Sequence, residues 1–418
     1  MRHTKLFLLI PVFLFSVAGT CAQDMQYAHS ILNKLTSKDF AGRGYVNNGN
    51  GKAAAFIKHQ FDSLGLQSFS EKYYQQFSFP VNTFPGKMEV KLDGKTIVPG
   101  DDYIVYPSSG EAQNKYVLED LHNYTSPDLF NQKPGVCYKL LKDSMPEAER
   151  DQLFNDLATG KITAGAIIFL QPQKLTWSVA RDHYKIPAIS ILQYLLPVSV
   201  HEIKITITEK FIPDFKTQNV IGYIKGAANP DSFIVFSAHY DHLGMMGMET
   251  YFPGANDNAS GVSMLLNLAK HFSKKENQPQ CSIAFIAFAG EEAGLIGSEY
   301  YTHHPLFPLS QIKFLVNLDL LGTGDDGMMV VNATEFPEQF HLLDSLNNSN
   351  KYLVKLGQRG KAKNSDHYWF TVKDVPSFFF YTMGGIQAYH DINDKAETLP
   401  FKEFEDVFKL IVEFTKLL

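Results

Sequence analysis

The sequence predicts an α/β protein built on a mixed, mostly parallel central sheet flanked by helices. From residue 219 onward, short apolar runs alternate with helical stretches in the βαβ order that produces parallel strands. These runs are almost continuously apolar, which is typical of strands covered on both faces. An amphipathic stripe from Val262 to Phe272 predicts a helix between two of the strands. Six strand candidates meet this description: 220–224, 233–238, 282–289, 314–320, 328–332 and 377–381.

The amino-terminal part of the chain predicts two helices followed by a ribbon. Apolar spacing predicts helices over 27–35 and 52–64, and Gly65 follows the second at the usual place for a terminating glycine. Short alternating runs broken by Pro and Gly over 73–106 indicate strands at the edge of a domain. We therefore expect a domain boundary after residue 100. A last amphipathic helix, beginning near Phe401, closes the chain.

Residues 101–214 predict a smaller α/β unit set into the larger one. Its features are a polar helix over 145–157 and four strand candidates: 135–141, 164–170, 186–192 and 203–208. We expect residues 23–100 and 215–418 to form one larger domain, with 101–214 as an insert.

The first 22 residues have the features of a secretory signal peptide. Basic residues precede an apolar stretch over 6–17, which is too short to span a membrane as a helix. We expect cleavage after Ala22 and a mature protein that is periplasmic or secreted. Lipoprotein anchoring at Cys21 is the less favoured alternative, because Thr20 is a poor residue directly before the modified cysteine.

Length and charge limit the classes of partner. The chain has 418 residues and a formal net charge of −6, enough length for more than one compact unit. Because no long Lys/Arg run follows the first residues, we do not expect a nucleic-acid partner. No later stretch supplies roughly twenty continuous apolar residues, so no transmembrane segment is expected. Small molecules or peptides are the expected partners, and the sequence leaves the oligomeric state open.

Side chains that can bind metals stand just after the predicted strands or at a helix start. In an open α/β sheet, ligands bind beyond the carboxyl ends of the strands. A helix start also favours a carboxylate, which suits Asp257. Each residue alone could be an ordinary loop side chain or helix cap, but their placement on one side of one sheet predicts a metal site. The five candidate ligands are His239, Asp257, Glu292, Asp319 and His390.

Charge balance favours two metal ions over one. Two divalent ions carry four positive charges, which the three candidate carboxylates and one hydroxide would neutralise. The mixed set of imidazoles and carboxylates is typical of Zn²⁺, although Mn²⁺ or Co²⁺ would also suit it.

Six sequence blocks resemble the M28 metallopeptidases in residue type, order and spacing. The resemblance implies a zinc-exopeptidase-like fold. GAIIFLQP (165–172) and IPAISI (186–191) also resemble, more weakly, the protease-associated insert that many of these peptidases carry. The six blocks are SAHYDHLG (237–244), PGANDNASG (253–261), FAGEEAGLIGS (288–298), NLDLLG (317–322), SDH (365–367) and YHDINDKAETL (389–399).

The resemblance also implies a role for each matched residue. Asp257 would bridge two zinc ions, with His239 and Asp319 on one ion and Glu292 and His390 on the other. Two further residues would be catalytic: Glu291 as general base and acid, and Asp241 as the residue that orients His239. Asp366 and His367 would line or brace the substrate pocket, although capping of the helix that follows is an equal alternative. The tyrosine that some members place before the SDH block is absent, because Lys361, Ala362 and Lys363 stand there.

The function implied is that of an exported aminopeptidase that removes amino-terminal residues from peptides. A metal-bridging hydroxide would attack the scissile carbonyl. The sequence does not exclude a carboxypeptidase. Two other classes stay open: a single-zinc acyltransferase resembling glutaminyl cyclases, and a non-catalytic peptide-binding module on the same fold. The M20 metallopeptidases are disfavoured, because the stretch between Asp319 and His390 is too short for their lid domain. We expect the other histidines, such as His242, His271, His303 and His304, at the surface.

Overall fold

The computed structural model describes residues 23–69, 71–141 and 144–418, so the predicted signal peptide lies outside the described residues. The strands, numbered along the chain, are β1 (Tyr74–Thr83), β2 (Met88–Leu92), β3 (Lys95–Ile97), β4 (Tyr103–Val105), β5 (Ala112–Asp120), β6 (Val136–Leu141), β7 (Ala166–Gln171), β8 (Ala188–Leu192), β9 (Glu202–Ile207), β10 (Lys210–Ile224), β11 (Asn229–His239), β12 (Gly244–Met246), β13 (Thr250–Phe252), β14 (Cys281–Phe288), β15 (Ile312–Leu318), β16 (Met328–Val331), β17 (Leu356–Arg359) and β18 (Ser377–Thr382). The α-helices are α1 (Met25–Leu35), α2 (Gly49–Ser63), α3 (Asp128–Asn131), α4 (Glu147–Ala158), α5 (Gly261–Phe272), α6 (Ile296–His303), α7 (Pro337–Asn350), α8 (His367–Val372) and α9 (Phe404–Leu417).

The main sheet has eight strands in the order β1-β10-β14-β11-β15-β18-β16-β17. Its four central strands, β14, β11, β15 and β18, run parallel, whereas the pairs β1–β10, β10–β14 and β16–β18 are antiparallel. The predicted fold class, a mixed and mostly parallel sheet between helices, is therefore confirmed. All six predicted strands of this part are present; five lie within a few residues of their expected bounds, and the strand predicted over 220–224 is the end of the longer β10, which begins at Lys210.

Helices on both faces keep the central strands out of water. Along β11, Ile234 and Phe236 face one core, which includes α5, and Phe233 and Val235 face a second core on the opposite side. Leu265 of α5 is fully buried against the first core. Each such side chain contributes about 1.5–3 kcal/mol when it is removed from water. The alternating burial explains why these strands are apolar at nearly every position.

A second eight-stranded sheet has the order β3-β2-β9-β5-β6-β7-β8-β4 and packs an apolar core on each face. The predicted strands over 135–141, 164–170, 186–192 and 203–208 correspond to β6, β7, β8 and β9. However, β2 and β3 lie before the expected boundary at residue 101 and pair with this sheet, and β10 of the main sheet begins before residue 214. Pairing of β2 with β9 is a contact between distant segments, which local sequence patterns do not encode. The exact division of the chain and the likeness of this unit to a protease-associated insert stay predictions.

Candidate metal centre

The parallel strands bring the predicted ligands to one edge of the main sheet. His239 is the last residue of β11, Asp319 directly follows β15, and Glu292 comes shortly after β14. Because these strands are adjacent and parallel, their carboxyl ends meet at the same edge. His390 reaches this edge from the loop between β18 and α9.

The candidate ligands form one cluster that has two halves. His239 and the carboxylates of Asp257 and Asp319 make up the first half. Its Nε2 atom lies 3.4 Å from Asp257 Oδ1 and 3.4 Å from Asp319 Oδ2. All three side chains are buried. The other ring nitrogen, Nδ1, lies 3.1 Å from the backbone carbonyl of Asp241, which favours a proton on Nδ1 and leaves Nε2 free to face the carboxylates.

The second half of the cluster consists of His390, Glu292 and the other carboxylate oxygen of Asp257. Its Nε2 atom lies 3.1 Å from Asp257 Oδ2 and 3.2 Å from Glu292 Oε2. Asp257 therefore presents one oxygen to each half. The structure brings all five predicted ligands together, in the same two groups that the sequence blocks implied.

The residues of this cluster fit zinc. Two ligand atoms bound to one tetrahedral zinc ion at about 2.0–2.1 Å lie roughly 3.3 Å apart, close to the separations within each half. Oδ1 of Asp319 is buried and has no hydrogen-bond partner among the described residues, so it is available to an ion. Imidazole nitrogens and carboxylate oxygens are also ligand types that zinc prefers.

Two of the carboxylates are held in the ionised form that metal binding requires. Burial alone would raise the pKa of Asp257, but His239 and His390 outweigh it and lower that pKa well below its ordinary value. Burial is likewise outweighed at Glu292, where His390 and His242 lower the pKa to about 2. Both groups are therefore ionised at neutral pH, and the proton that a cation would displace is on the paired histidine, because burial, which lowers the pKa of His390, is outweighed by Glu292 and Asp257, which raise it to about 11.

Glu291 lies beside the first half of the cluster, with Oε2 4.0 Å from His239 Nε2. Burial raises its pKa well above the ordinary value; His239 opposes the rise and Glu292 adds to it. A buried carboxylate with a raised pKa can accept and return a proton near neutral pH.

Asp241 supports the backbone that carries Glu291 and Glu292. Its Oδ1 accepts the N–H of Glu291 at 3.2 Å, and its Oδ2 accepts the N–H of Glu292 at 3.3 Å and the Tyr45 hydroxyl at 2.9 Å. The Asp241 carboxylate itself lies 3.9 Å from His239 Nδ1. The structure thus differs from the expectation that this carboxylate orients His239, because the backbone carbonyl of Asp241 makes that contact instead.

The turn that carries Asp257 is held from two sides. Asp394 accepts the backbone N–H groups of Asn256 and Asp257 at 2.8 and 2.9 Å. On its other side, the turn is held by the buried guanidinium of Arg43, which donates to the backbone carbonyls of Gly254 and Asp257. Gly254 has a φ of 58°, and a Cβ there would collide with the Asp257 carbonyl and the His242 ring. Asp257 therefore occupies a braced turn just before α5 and not the helix start that the sequence predicted.

A chain of buried side chains positions Asp319. Ser365 donates to Asp319 Oδ2 at 3.1 Å, Asn317 donates to Ser365 at 2.8 Å, and Ser237 donates to Asn317 at 2.7 Å. These bonds connect β11, β15 and the SDH block behind the site. Ligand positioning by such hydrogen bonds is a common requirement of metal sites.

His242 is a residue of the site that the sequence analysis missed. The prediction that it lies at the surface is wrong, because it is fully buried and its Nδ1 lies 2.7 Å from Glu292 Oε1. This distance is that of a hydrogen bond, shorter than the separation of two ligands on one ion, so His242 orients Glu292. Its position three residues after His239, within the same block, was the available signal. Of the other three histidines, His303 and His304 are exposed as expected and His271 is half-buried.

Asp366 and His367 lie behind the cluster and do not line the cavity beside it. Both are fully buried. Burial raises the pKa of Asp366 to about 7 and lowers the pKa of His367 to about 3, so His367 is neutral and packs on Phe379. Asp366 precedes α8 but makes no side-chain cap there. Their predicted role in lining or bracing the substrate pocket stays a prediction.

One cavity opens at the first half of the candidate metal centre, and a second adjoins it. The smaller, of about 180 Å³, is lined by His239, Asp257, Glu291 and Asp319, and by Leu320, Asn364, Phe379, Tyr381 and Tyr389. The larger, of about 610 Å³, shares Tyr381 and Tyr389 with it and extends along residues 382–388. A ligand could therefore reach from the cluster into either cavity.

The fold and this cluster define the chain as a mixed α/β protein with a candidate metal centre at one edge of its main sheet. Residues 219–415 match the family model described as Peptidase family M28. This match confirms, over the carboxyl-terminal part of the chain, the resemblance found in the sequence.

Curated relatives cover only part of the chain. Aminopeptidase YwaD of Bacillus subtilis (strain 168) is 28% identical over 248 residues, which cover 56% of this chain and 51% of the relative. A probable zinc metalloprotease of Pyricularia oryzae is 38% identical over 116 residues, 27% of this chain and 23% of that protein. The chain thus spans about half the length of the first relative and about a quarter of the second.

Solved structures resemble the fold over almost the whole chain. The zinc aminopeptidase BSAP from Bacillus subtilis superposes with a TM-score of 0.71 at 20% identity and covers 94% of both chains. The aminopeptidase from Aneurinibacillus sp. strain AM-1 superposes with a TM-score of 0.65 at 20% identity, covering 94% of this chain and 93% of that one. At this level of identity the likeness shows the fold. Among the described residues, none of the helices has the length and apolar character needed to span a membrane.

Proposed function

We propose that this chain is an exported aminopeptidase that binds two zinc ions and removes amino-terminal residues from peptides. The observation that carries the proposal is the division of the Asp257 carboxylate between two pairs of ligands, His239 with Asp319 and His390 with Glu292. The named aminopeptidases among the relatives and solved structures support the same reading. Export rests on the sequence of residues 1–22 alone.

When bound, the two ions would lower the pKa of a water molecule and polarise the scissile carbonyl. The chain's own residues have the remaining tasks. Asp257 holds its two oxygens apart for the two halves, because Asp394 and Arg43 fix its backbone. Glu291 accepts a proton at Oε2 and returns it to the leaving amine, a task suited to its raised pKa. Asp241 keeps Glu291 in place through the backbone N–H.

The small cavity favours cleavage at a chain end. At about 180 Å³ it is smaller than the roughly 300–1,000 Å³ of typical small-molecule sites, so it suits one residue of a peptide. The buried carboxylates next to it suit a free α-ammonium group better than a free carboxylate, because like charges repel. This argument favours an aminopeptidase over a carboxypeptidase.

The test compares peptides with free and blocked amino termini. Zinc-loaded protein is assayed against aminoacyl fluorogenic amides, their N-acetylated forms and a glutaminyl peptide, and bound zinc is measured by elemental analysis. We expect two zinc ions per chain and hydrolysis of the free amides only. In Glu291→Gln, kcat should fall by about 10²–10⁴-fold with zinc still bound, whereas the exposed Glu338→Gln should behave as wild type.

Other results would favour the alternatives. One zinc ion per chain with cyclisation of the glutaminyl peptide would point to the acyltransferase. Two zinc ions without turnover of any amide would point to a peptide-binding module. Wild-type turnover by Glu291→Gln would refute the assignment of Glu291 as the base.

A further inference from the structure

His390 is held by the loop between β7 and β8 of the second sheet. The backbone N–H of Trp177 donates to the His390 carbonyl at 3.0 Å, and the His390 ring Nδ1 lies 3.0 Å from the Trp177 carbonyl. The second contact favours a proton on Nδ1, which leaves Nε2 to face Asp257 and Glu292. A residue of the second unit therefore sets the tautomer and the ring orientation of a candidate ligand in the first.

Trp177 is itself fixed within the core of the second sheet. Its indole N–H donates to the Val105 carbonyl at 2.9 Å, and its ring stacks on Phe252 with centroids 4.6 Å apart. Only 4% of the residue is exposed. Its backbone is a rigid support for His390, because movement of Trp177 would break these contacts.

Lys174, in the loop between β7 and β8, contacts the loop that carries His390 on either side of that histidine. Its ammonium group donates to the carbonyls of Gln387 and Tyr389 at 2.8 and 2.9 Å, and it lies 3.1 Å from Asp391 Oδ2. One lysine thus uses three donors on the segment 387–391, which has no regular secondary structure. Such a segment depends on outside contacts for a fixed conformation.

We propose that Lys174 and Trp177 are positioning residues for His390, so that the second unit completes the candidate metal centre of the first. The proposal deepens the proposed function and rests on it, because His390 is taken as a zinc ligand. The way in which His390 is brought to the site explains why it needs such contacts. His390 is the only one of the five ligands that is brought to the site by a long irregular loop and not by a strand end or a turn braced against α5.

The experiment measures zinc affinity by competition with a chelator of known affinity. Lys174→Met removes the three donors and keeps a chain of similar length. The dissociation constant of the zinc ion held by His390 and Glu292 should rise by about 10–100-fold, the usual cost of losing the hydrogen bonds behind a ligand. Lys174→Arg, which retains donors, should recover most of the affinity, and Lys185→Met, an exposed lysine of the same loop, should have no effect.

A double-mutant cycle tests whether the effect passes through His390. In His390→Ala, the additional change Lys174→Met should leave zinc affinity unaltered, because the group that Lys174 positions is gone. In the zinc-free protein, hydrogen exchange of segment 387–391 should become faster in Lys174→Met while the thermal midpoint stays close to wild type. The proposal would be overturned if Lys174→Met weakened zinc binding as much in the His390→Ala background as it does in the wild-type background. It would also be overturned if Lys174→Met alone left zinc affinity unchanged. Zinc binding that follows these expectations without any peptidase activity would support the positioning role of Lys174 and refute only the proposed function.

Discussion

The buried guanidinium of Arg43 supports the turn that carries Asp257, and its hydrogen bonds permit a quantitative prediction of the free energy of unfolding. It is fully buried, and its five N–H groups each meet a backbone carbonyl: those of Leu35, Tyr240, Pro253, Gly254 and Asp257. Burial lowers the pKa of Arg43 to about 10, with Asp257 opposing the change, so the group stays charged at neutral pH. These bonds join the end of α1, the start of the site after β11, and the Asp257 turn.

Arg43→Lys retains the charge but reduces the number of donors. A lysine has three donors on one atom, so at least two of the five carbonyls lose their partner. Each unpaired buried carbonyl costs about 1–3 kcal/mol, which gives a total loss of about 2–6 kcal/mol. A loss of this size is a large part of the roughly 5–15 kcal/mol that stabilises an ordinary domain.

Urea unfolding of the zinc-free protein, followed by far-ultraviolet circular dichroism, measures this loss. Arg359→Lys is the matched control, because Arg359 is exposed on the edge strand β17. We expect a clear fall in the midpoint of the transition of Arg43→Lys, with the slope retained, and a control within about 0.5 kcal/mol of wild type. Equal midpoints for the two variants would show that the five hydrogen bonds do not carry the stability assigned to them.

Three further predictions concern metal removal, pH and the Asp257 turn. Chelation should lower the thermal midpoint, and zinc at a thousand times its dissociation constant should restore about 4 kcal/mol; an unchanged midpoint would argue against a buried metal site. Burial lowers the pKa of His271 to about 4 from 6.5, so the unfolded state binds more protons between these values and stability should be lost as pH falls through that window. His271→Gln should flatten the pH dependence of unfolding in that window, and an equal slope in both proteins would contradict the assignment. Asp394→Asn keeps only one acceptor for the N–H groups of Asn256 and Asp257 and should weaken zinc binding about 10–100-fold, whereas the exposed Asp374→Asn should bind zinc as wild type does.

The sequence was informative where one local pattern decides the structure. Apolar runs identified the central strands, and the polar residues at their ends indicated the candidate ligands His239, Glu292 and Asp319. Local patterns were less informative for β2, β3 and β5, which are polar, partly exposed strands whose pairing partners lie far along the chain. The same reason explains why the support of His390 by Trp177 could not be foreseen, since His390 meets the Trp177 backbone across more than two hundred residues of sequence.

His242 was missed for a different reason. A histidine in a polar loop is usually exposed, and only the folded chain shows that the loop after β11 turns inward beneath the Asp257 turn. There Gly254 lets the turn pass close to the His242 ring. Its place three residues after His239 becomes informative when one asks which side chains each predicted ligand needs as hydrogen-bond partners.

The charge balance inferred from the sequence considered only the three candidate ligand carboxylates. The site contains further acidic side chains, and the structure shows how their negative charge is avoided or compensated. Asp241 and Asp394 accept two backbone N–H groups each, so their charge is met by peptide dipoles. Burial raises the pKa of Asp366 to about 7 and that of Glu291 well above its ordinary value, which favours their neutral forms in the zinc-free protein. Arg43 adds one permanent positive charge beneath the turn. The acids outside the ligand set are therefore neutralised or compensated by the chain itself. The three candidate ligand carboxylates pair with His239 and His390 in the zinc-free protein, and theirs is the charge that two divalent ions and a hydroxide would balance.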